Sequence, residues 1–301
     1  MWILNEAAHE LIGRAAQAYT APTVERARQI CLSLRDGGFG TSVCFWNDDL
    51  DTVADITRSC LRLLDLLRYL DSHAYLSLKL PAIRFDKVAV TAILRAAARM
   101  PRLVHFDSHG PEHADRMLAT IESALKHNRN LGCTIPGRWL RSVEDANLAC
   151  RLGLRVRVVK GQWPDPRHPN MNMRRGFLRV IDELLGRAVC VAVATHDIPL
   201  ARQALYRLLD AGTPCELELL HGLPRRAAIH MARHLDVPIR IYVPQGKAWL
   251  PYLLNQARNN PRVLSWFARD LVRGFAIGAG ALWTTRFVPA RWKANRPHKA
   301  L

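Results

Sequence analysis

Acidic side chains are scarce in this chain: 26 Asp and Glu stand against 43 Lys and Arg, a formal net charge of +17. A surplus of that size attracts acidic partners such as nucleic acid, an anionic bilayer or a phosphate-bearing cofactor. The arginines are spread along most of the helical stretches, and the only dense run is RFVPARWKANRPHK (286–299). A solvated basic surface is therefore preferred to specific DNA recognition, and no nucleic acid is expected. Long apolar runs are also missing. No stretch reaches the length of a membrane span, and MWILNEAAHEL turns polar at once, so no secretory leader is expected. The seven cysteines, at 31, 44, 60, 133, 150, 190 and 215, show no CxxC or other metal-ligand spacing. That excludes a zinc-ribbon type of site and favours free thiols in a reducing cytoplasm. There is no GxGxxG after the first strand candidate, no P-loop, no HExxH and no GxSxG. His196 has no Ser or Cys partner by spacing, which excludes a recognisable nucleophilic triad.

What is present is a regular alternation. Of the 301 residues 49% are hydrophobic, enough for a full core. Eight strand candidates end in polar residues: TSVCFW (41–46), AYLSLKL (74–80), RLVHFD (102–107), LGCTI (131–135), RVRVVKG (155–161), CVAVATHD (190–197), PCELELLHG (214–222) and PIRIYVPQG (238–246). Most are followed by a stretch of helical periodicity, as in Val53, Ile56, Cys60, Leu61, Leu64 and Leu67. Ser142 is the expected N-cap of one such helix, with Asp145 at the box position. Eight β-then-α units predict an α/β protein of the (β/α)8 TIM-type barrel class, with a doubly wound sheet as the alternative. The expected division is an N-terminal helical segment (1–35), the barrel (36–280) and a basic C-terminal tail (281–301).

In such a barrel the C-terminal ends of all strands face one mouth, where active sites lie. The ends here carry Asn47 and Asp48, Lys79, Asp107, Arg138, Lys160, Thr195 and His196, Glu218 and His221, and Tyr242. The stretch RVRVVKGQWPD (155–165) is the most unusual. Its charges suit a strand opening onto a pocket, and Gly161 suits close backbone approach to a ligand; a solvated edge strand with a basic end is the alternative. Lys79 and Asp107, on neighbouring strands, are expected to pair. Arg157 and Lys160 could neutralise a pyrophosphate or stabilise an anionic ring. A metal site from His105, Asp107 and His109 is disfavoured, because alternation puts only the first two on one face.

With these residues placed, the chain resembles the proline dehydrogenase family of FAD-dependent distorted (β/α)8 barrels, from about residue 40 to 260. LSLKLPA (76–82), HFDSHG (105–110), RVVKGQW (157–163), ATHD (194–197), ELELLHG (216–222) and YVPQG (242–246) are similar, in order, to the family's strand-end motifs. The resemblance implies catalytic positions at Lys79, Asp107 and Tyr242. It implies flavin contacts at Arg157, Lys160, Gly161, Thr195 and His196. A family Gln falls in the run Pro136, Gly137, Arg138, leaving Arg138 as the candidate replacement. The family's Tyr-Leu-x-Arg-Arg helix, whose two Arg clamp the substrate carboxylate, is matched by Tyr252, Leu253, Leu254, Asn255 and Gln256. Amides cannot reproduce a bidentate guanidinium clamp; Arg258, three residues after Asn255, is a candidate for a displaced one.

The implied activity is oxidation of L-proline to 1-pyrroline-5-carboxylate, or of a related cyclic or secondary amine, by hydride transfer to flavin N5. The implied acceptor is a membrane quinone, with a cytoplasmic protein docking peripherally at the inner face of the membrane. Two alternatives are a flavoenzyme of the same fold acting on a substrate that is not an amino acid, and a basic binding protein without catalysis.

Overall fold

The computed structural model of the protein describes residues 21–246. Residues 1–20 and 247–301, which hold Tyr252, Asn255, Gln256 and Arg258 and the basic tail, lie outside the described residues.

The eight strands are β1 (Gly40–Phe45), β2 (Tyr75–Leu78), β3 (Val104–Phe106), β4 (Leu131–Pro136), β5 (Arg155–Val159), β6 (Val191–Ala194), β7 (Cys215–Leu220) and β8 (Ile239–Gln245). They form a closed barrel in sequence order, and every neighbouring pair is parallel, β8 with β1 included. The fold is the expected TIM-type barrel. Because the barrel is closed it has no edge, so β5 is buried between β4 and β6 and is not a solvated edge strand.

Seven helices make the crossovers: α2 (Val53–Leu66), α3 (Lys87–Ala98), α4 (Ala114–Leu125), α5 (Ser142–Arg151), α6 (Met173–Leu184), α7 (Ile198–Asp210) and α8 (Arg226–His234), while α1 (Val24–Asp36) precedes β1. Their starts follow from local chemistry. Thr52 and Asp55 form a reciprocal capping box on α2, Asp86 caps α3, Asn172 caps α6 through two backbone N–H groups, and Asp197 caps α7. α1 is capped by Thr23, and its buried face of Ala27, Ile30, Cys31 and Leu34 packs against β1 and β8. Ala21 bridges to Gln245 just before it. α1 thus joins the seven crossover helices in the outer layer.

Ser142 is not the N-cap of α5. Arg141 holds that position, and Ser142 is the first helical residue. The Ser142 hydroxyl is buried and donates to the Pro136 carbonyl at 2.5 Å, so it ties the helix to the end of β4. Asp145 accepts from Arg141, which also reaches Asp115 at 2.6 Å and links α5 to α4.

Strand alternation sorts the core into two unlike halves. Val43, Leu76, Leu78, Val104, Phe106, Ile135, Val156, Val158, Val193, Leu217, Leu219, Ile241 and Val243 belong to the apolar core shared with the helices. Each such aliphatic side chain contributes roughly 1.5–3 kcal/mol through burial. Most of the alternate positions, which face the lumen, are polar, among them Ser42, Tyr75, Ser77, His105, Thr134, Arg155, Arg157, Glu216, Glu218 and Arg240, while β6 offers only Ala192 and Ala194. All seven cysteines are free, and burial pushes the thiols of Cys31, Cys44, Cys133 and Cys215 up to about 12, so they stay protonated and inert. No described helix is long and apolar enough to cross a membrane.

Candidate active site

The lumen is filled by ions, arranged in two tiers. Near the N-terminal ends of the strands, Arg155 and Arg240 both bind Glu216, Arg240 through Nε at 2.6 Å. Arg240 also donates to the carbonyls of Thr41 and His73. Two residues further along the strands, Arg157 is the hub. Its Nε and one terminal nitrogen each donate to Glu218 at 2.8 Å, and its other terminal nitrogen donates to Asp107 at 2.5 Å. It also donates to the hydroxyls of Tyr75 at 3.0 Å and Ser77 at 3.1 Å. Ser42 donates to Glu218 at 2.7 Å. The Tyr75 ring lies between the tiers with the guanidinium carbons of Arg155, Arg157 and Arg240 4.5–5.8 Å from its centroid.

Three cations, Arg155, Arg157 and Arg240, thus face three anions, Asp107, Glu216 and Glu218. Burial alone would raise the Glu218 carboxyl, but the Arg157 charge and hydrogen bonds outweigh it and hold it below the usual carboxylate range. Burial, followed by the charges of Arg157, Arg155 and Arg240, keeps His105 well below its ordinary value and neutral, with Nε2 2.9 Å from the Thr134 hydroxyl.

Towards the mouth the chain of contacts continues from Asp107. Tyr242 donates to its second oxygen at 2.9 Å and accepts from the Trp46 indole at 3.2 Å. Burial and the Asp107 charge push the Tyr242 phenol well above its ordinary value, so it remains a neutral donor. The Lys79 ammonium lies over the Trp46 ring, 3.8 Å from the centroid. Lys79 and Asp107 do not pair as expected. The Arg157 fork reaches Asp107 from inside the barrel, and Lys79 takes the aromatic face instead. The disfavoured metal set is also dispersed: His105 is held by Thr134 and Asp107 by Arg157 and Tyr242.

On the far rim, Lys160 pairs with Asp197 at 2.9 Å, and Arg174 binds the same carboxylate oxygen. Thr195 accepts from the Asp197 backbone. The loops after β4 and β5 are stitched together. Arg138 donates to the Gln162 carbonyl, the Trp139 indole to the Trp163 carbonyl, and the Leu140 backbone to Asp165. Gly161 sits at φ +94°, and a Cβ there would stand 2.8 Å from the Pro136 Cβ and 3.1 Å from that of Arg138. The close approach that Gly161 serves is to this neighbouring loop. His196 spends both ring nitrogens within the protein: Nδ1 on the Pro224 carbonyl at 2.9 Å, and Nε2 as acceptor from the Leu220 N–H at 3.0 Å. Burial lowers its pKa to about 4, against the upward pull of the Pro224 bond.

Two buried donors at the strand ends have no hydrogen-bond partner among the described residues, Arg138 Nε and His221 Nε2. His221 Nδ1 is engaged by Arg225. Orphan donors of this kind await acceptors, which matches a ligand rich in carbonyl, ring-nitrogen or phosphate groups.

Proline dehydrogenase 1 of Bacillus subtilis (strain 168) is 23% identical to this chain over 231 residues, which cover 72% of this chain and 76% of that protein. Proline dehydrogenase of Deinococcus radiodurans is 21% identical over 293 residues, 90% of this chain and 94% of that protein. The chain is thus similar, at low identity, to proline dehydrogenases over most of its length. No family model matches it. Proline utilization A (PutA) of Bdellovibrio bacteriovorus, inactivated by N-propargylglycine, superposes with a TM-score of 0.69 at 14% identity, over 82% of this chain and 32% of that one. PutA from Corynebacterium freiburgense gives 0.65 at 14% identity, over 91% and 35%. The chain spans about a third of the length of these PutA chains, and the likeness establishes the shared barrel.

Of the positions that carry the resemblance to proline dehydrogenases, Asp107, Arg157 and Tyr242 are in direct contact, and Lys79 joins them through Trp46. Lys160, Thr195 and His196 gather around β5 and β6. Glu218, Tyr75, Ser42 and Trp46 complete the network, although from the sequence only Glu218 stands out, as one strand-end residue among many. The signal for the others is a polar residue at every second strand position, in Tyr75 and Ser77, Arg155 and Arg157, and Glu216 and Glu218.

Proposed function

We propose that the protein is an FAD-dependent oxidoreductase that oxidises L-proline or a related cyclic or secondary amine. The observation that carries this is the Asp107–Arg157–Tyr242 constellation at the mouth, on the strand ends that resemble those of proline dehydrogenases. The orphan donors at Arg138 and His221, and the Lys160 and Arg174 charges that share Asp197, suit the ring and diphosphate of the cofactor. Bound FAD supplies the two-electron acceptor.

The side chains have separate tasks. Arg157 has its N–H groups engaged within the lumen, so it acts by fixing Asp107 and Tyr242. Tyr242, neutral and pinned on both sides by Asp107 and Trp46, holds a rigid hydroxyl on the mouth side of Arg157. Lys79 adds a positive charge on the same side. His196 braces β7 against the segment before α8, and Gly161 lets the β5 loop close on the β4 loop that bears Arg138. We further propose a quinone as electron acceptor, with the +17 surface favouring transient contact with an anionic bilayer.

The test is an absorption spectrum of the purified full chain, followed by anaerobic addition of L-proline. A flavin spectrum that bleaches supports cofactor and substrate together. A protein that is colourless and cannot be reconstituted with FAD refutes the proposal. A flavin that stays oxidised favours the second reading, a substrate without the proline carboxylate, which Asn255 and Gln256 motivate. Restoring Arg at both positions then separates the cases, because proline turnover rises only if the clamp alone is missing.

A further inference from the structure

The loop leaving β3 carries a group of side chains that the proposed oxidation does not use. His109, Glu112 and His113 each offer a ligand atom, and these atoms all lie within 4.8 Å of one another. Backbone geometry brings them together. A single turn of 3₁₀ helix, Pro111–His113, brings the His113 ring to 5.4 Å from that of His109, centroid to centroid. The Glu112 carboxylate folds back over Gly110, into the space a side chain there would take, and lies 3.3 Å from His113 Nε2. Gly110 is thus the residue that admits the carboxylate.

His109 is fixed from outside the loop. Its ring packs on Trp163, in the loop after β5, at 4.3 Å between centroids. Its Nδ1 is shut off from solvent and has no hydrogen-bond partner among the described residues. A buried ring nitrogen left unpaired is unfavourable, and such a group calls for a partner, an ion included. Two imidazoles and one carboxylate are a donor set suited to zinc, with three protein ligands leaving a coordination position open.

We propose that His109, Glu112 and His113 form a binding site for a divalent transition metal of the zinc type, on the rim of the barrel mouth. The site is distinct from the dispersed set of His105, Asp107 and His109, since two of its three ligands come from the turn beyond the strand. With Trp163 against His109, the metal would tie the β3 loop to the β5 loop.

The probe is Zn²⁺ itself, titrated into chelator-stripped full-length protein against a chromogenic indicator, with Co²⁺ as the spectroscopic substitute. The expected result is one tight equivalent, and visible Co²⁺ bands that Zn²⁺ abolishes. Glu112→Gln and His113→Gln each weaken that equivalent about ten-fold or more. Both side chains are on the surface, Glu112 at 64% exposure, so the variants should fold, which circular dichroism checks. His230 and His234 on α8 form a second histidine pair, with centroids 4.2 Å apart, and supply the control. His234→Gln should leave the tight equivalent unchanged. The proposal is overturned if no tight equivalent exists, if it survives the Glu112→Gln/His113→Gln double variant, or if it is lost only in His234→Gln.

Discussion

Glu218→Gln tests the balance of charge in the lumen. The substitution keeps the size of the side chain and removes one negative charge. Glu218 accepts two bonds from Arg157 at 2.8 Å and one from Ser42 at 2.7 Å, and both members of the ion pair are almost fully buried, at 5% and 2% side-chain exposure. Three cations would then face two anions in a buried lumen. Removing one partner of a buried pair destabilises by about 3–5 kcal/mol, most of it the stranded charge. For a chain of this size that is a fall in Tm on the order of 6–10 °C, at about 2 °C per kcal/mol. Equilibrium urea unfolding followed by circular dichroism is the assay, with the m-value checked for constancy. Asp182→Asn is the control. It breaks the Arg207–Asp182 pair, as short at 2.6 Å but half exposed, and should change stability by about 1 kcal/mol or less. The double variant Arg157→Met/Glu218→Gln removes one charge of each sign and should be more stable than the sum of the single losses requires, by about 2 kcal/mol. A Glu218→Gln protein within about 1 kcal/mol of the parent, or strict additivity in the cycle, would falsify the description of the lumen as a charge-matched unit.

Two further outcomes follow from the same geometry. His196 and His221 are each held at about 4, by burial first and, for His221, by Arg225 next, against about 6.5 in an unfolded chain. As pH falls the unfolded chain takes up these protons before the folded one. Stability is therefore full above about pH 6.5 and declines towards pH 4, by about 2 kcal/mol for each ring at pH 5; urea midpoints that stay level from pH 7 to 5 would contradict this. Gly161→Ala places a Cβ at φ +94° and 2.8 Å from Pro136, a strain of about 1–3 kcal/mol. Melting temperature and bound FAD per chain should both drop, and an unchanged FAD content would separate Gly161 from the cofactor loop.

The barrel was legible because its signals are local. Short β-branched runs ending in Asp107, Lys160 or His196, separated by helical periodicity, appear in the structure as strands and helices in the expected order. Capping was read from the sequence at a single helix. It misled at Ser142, whose hydroxyl is buried and satisfied by a carbonyl six residues back. The lumen was only half legible. Neighbouring strands placed Lys79 beside Asp107 correctly, but the choice of partner depends on Arg157, 50 residues further along the chain, whose fork reaches across the barrel. Arg157 and Glu218 are 61 residues apart, and no spacing rule connects them. Unpaired donors at the strand ends, such as Arg138 Nε and His221 Nε2, emerge only when every other bond has been assigned.

The barrel wall resembles an inverted micelle, with oil on its outer surface and ions within, and this sets how the protein should come apart. Heating weakens the penalty for keeping ions out of water, so a rise in temperature works mainly against the sleeve between wall and helices. Acid leaves the aliphatic sleeve untouched and acts on the lumen, where Arg157 holds Glu218 in its charged form; once Glu218 is protonated, Arg155, Arg157 and Arg240 are no longer matched around Tyr75. Thermal and acid unfolding should accordingly begin on opposite faces of the same eight strands.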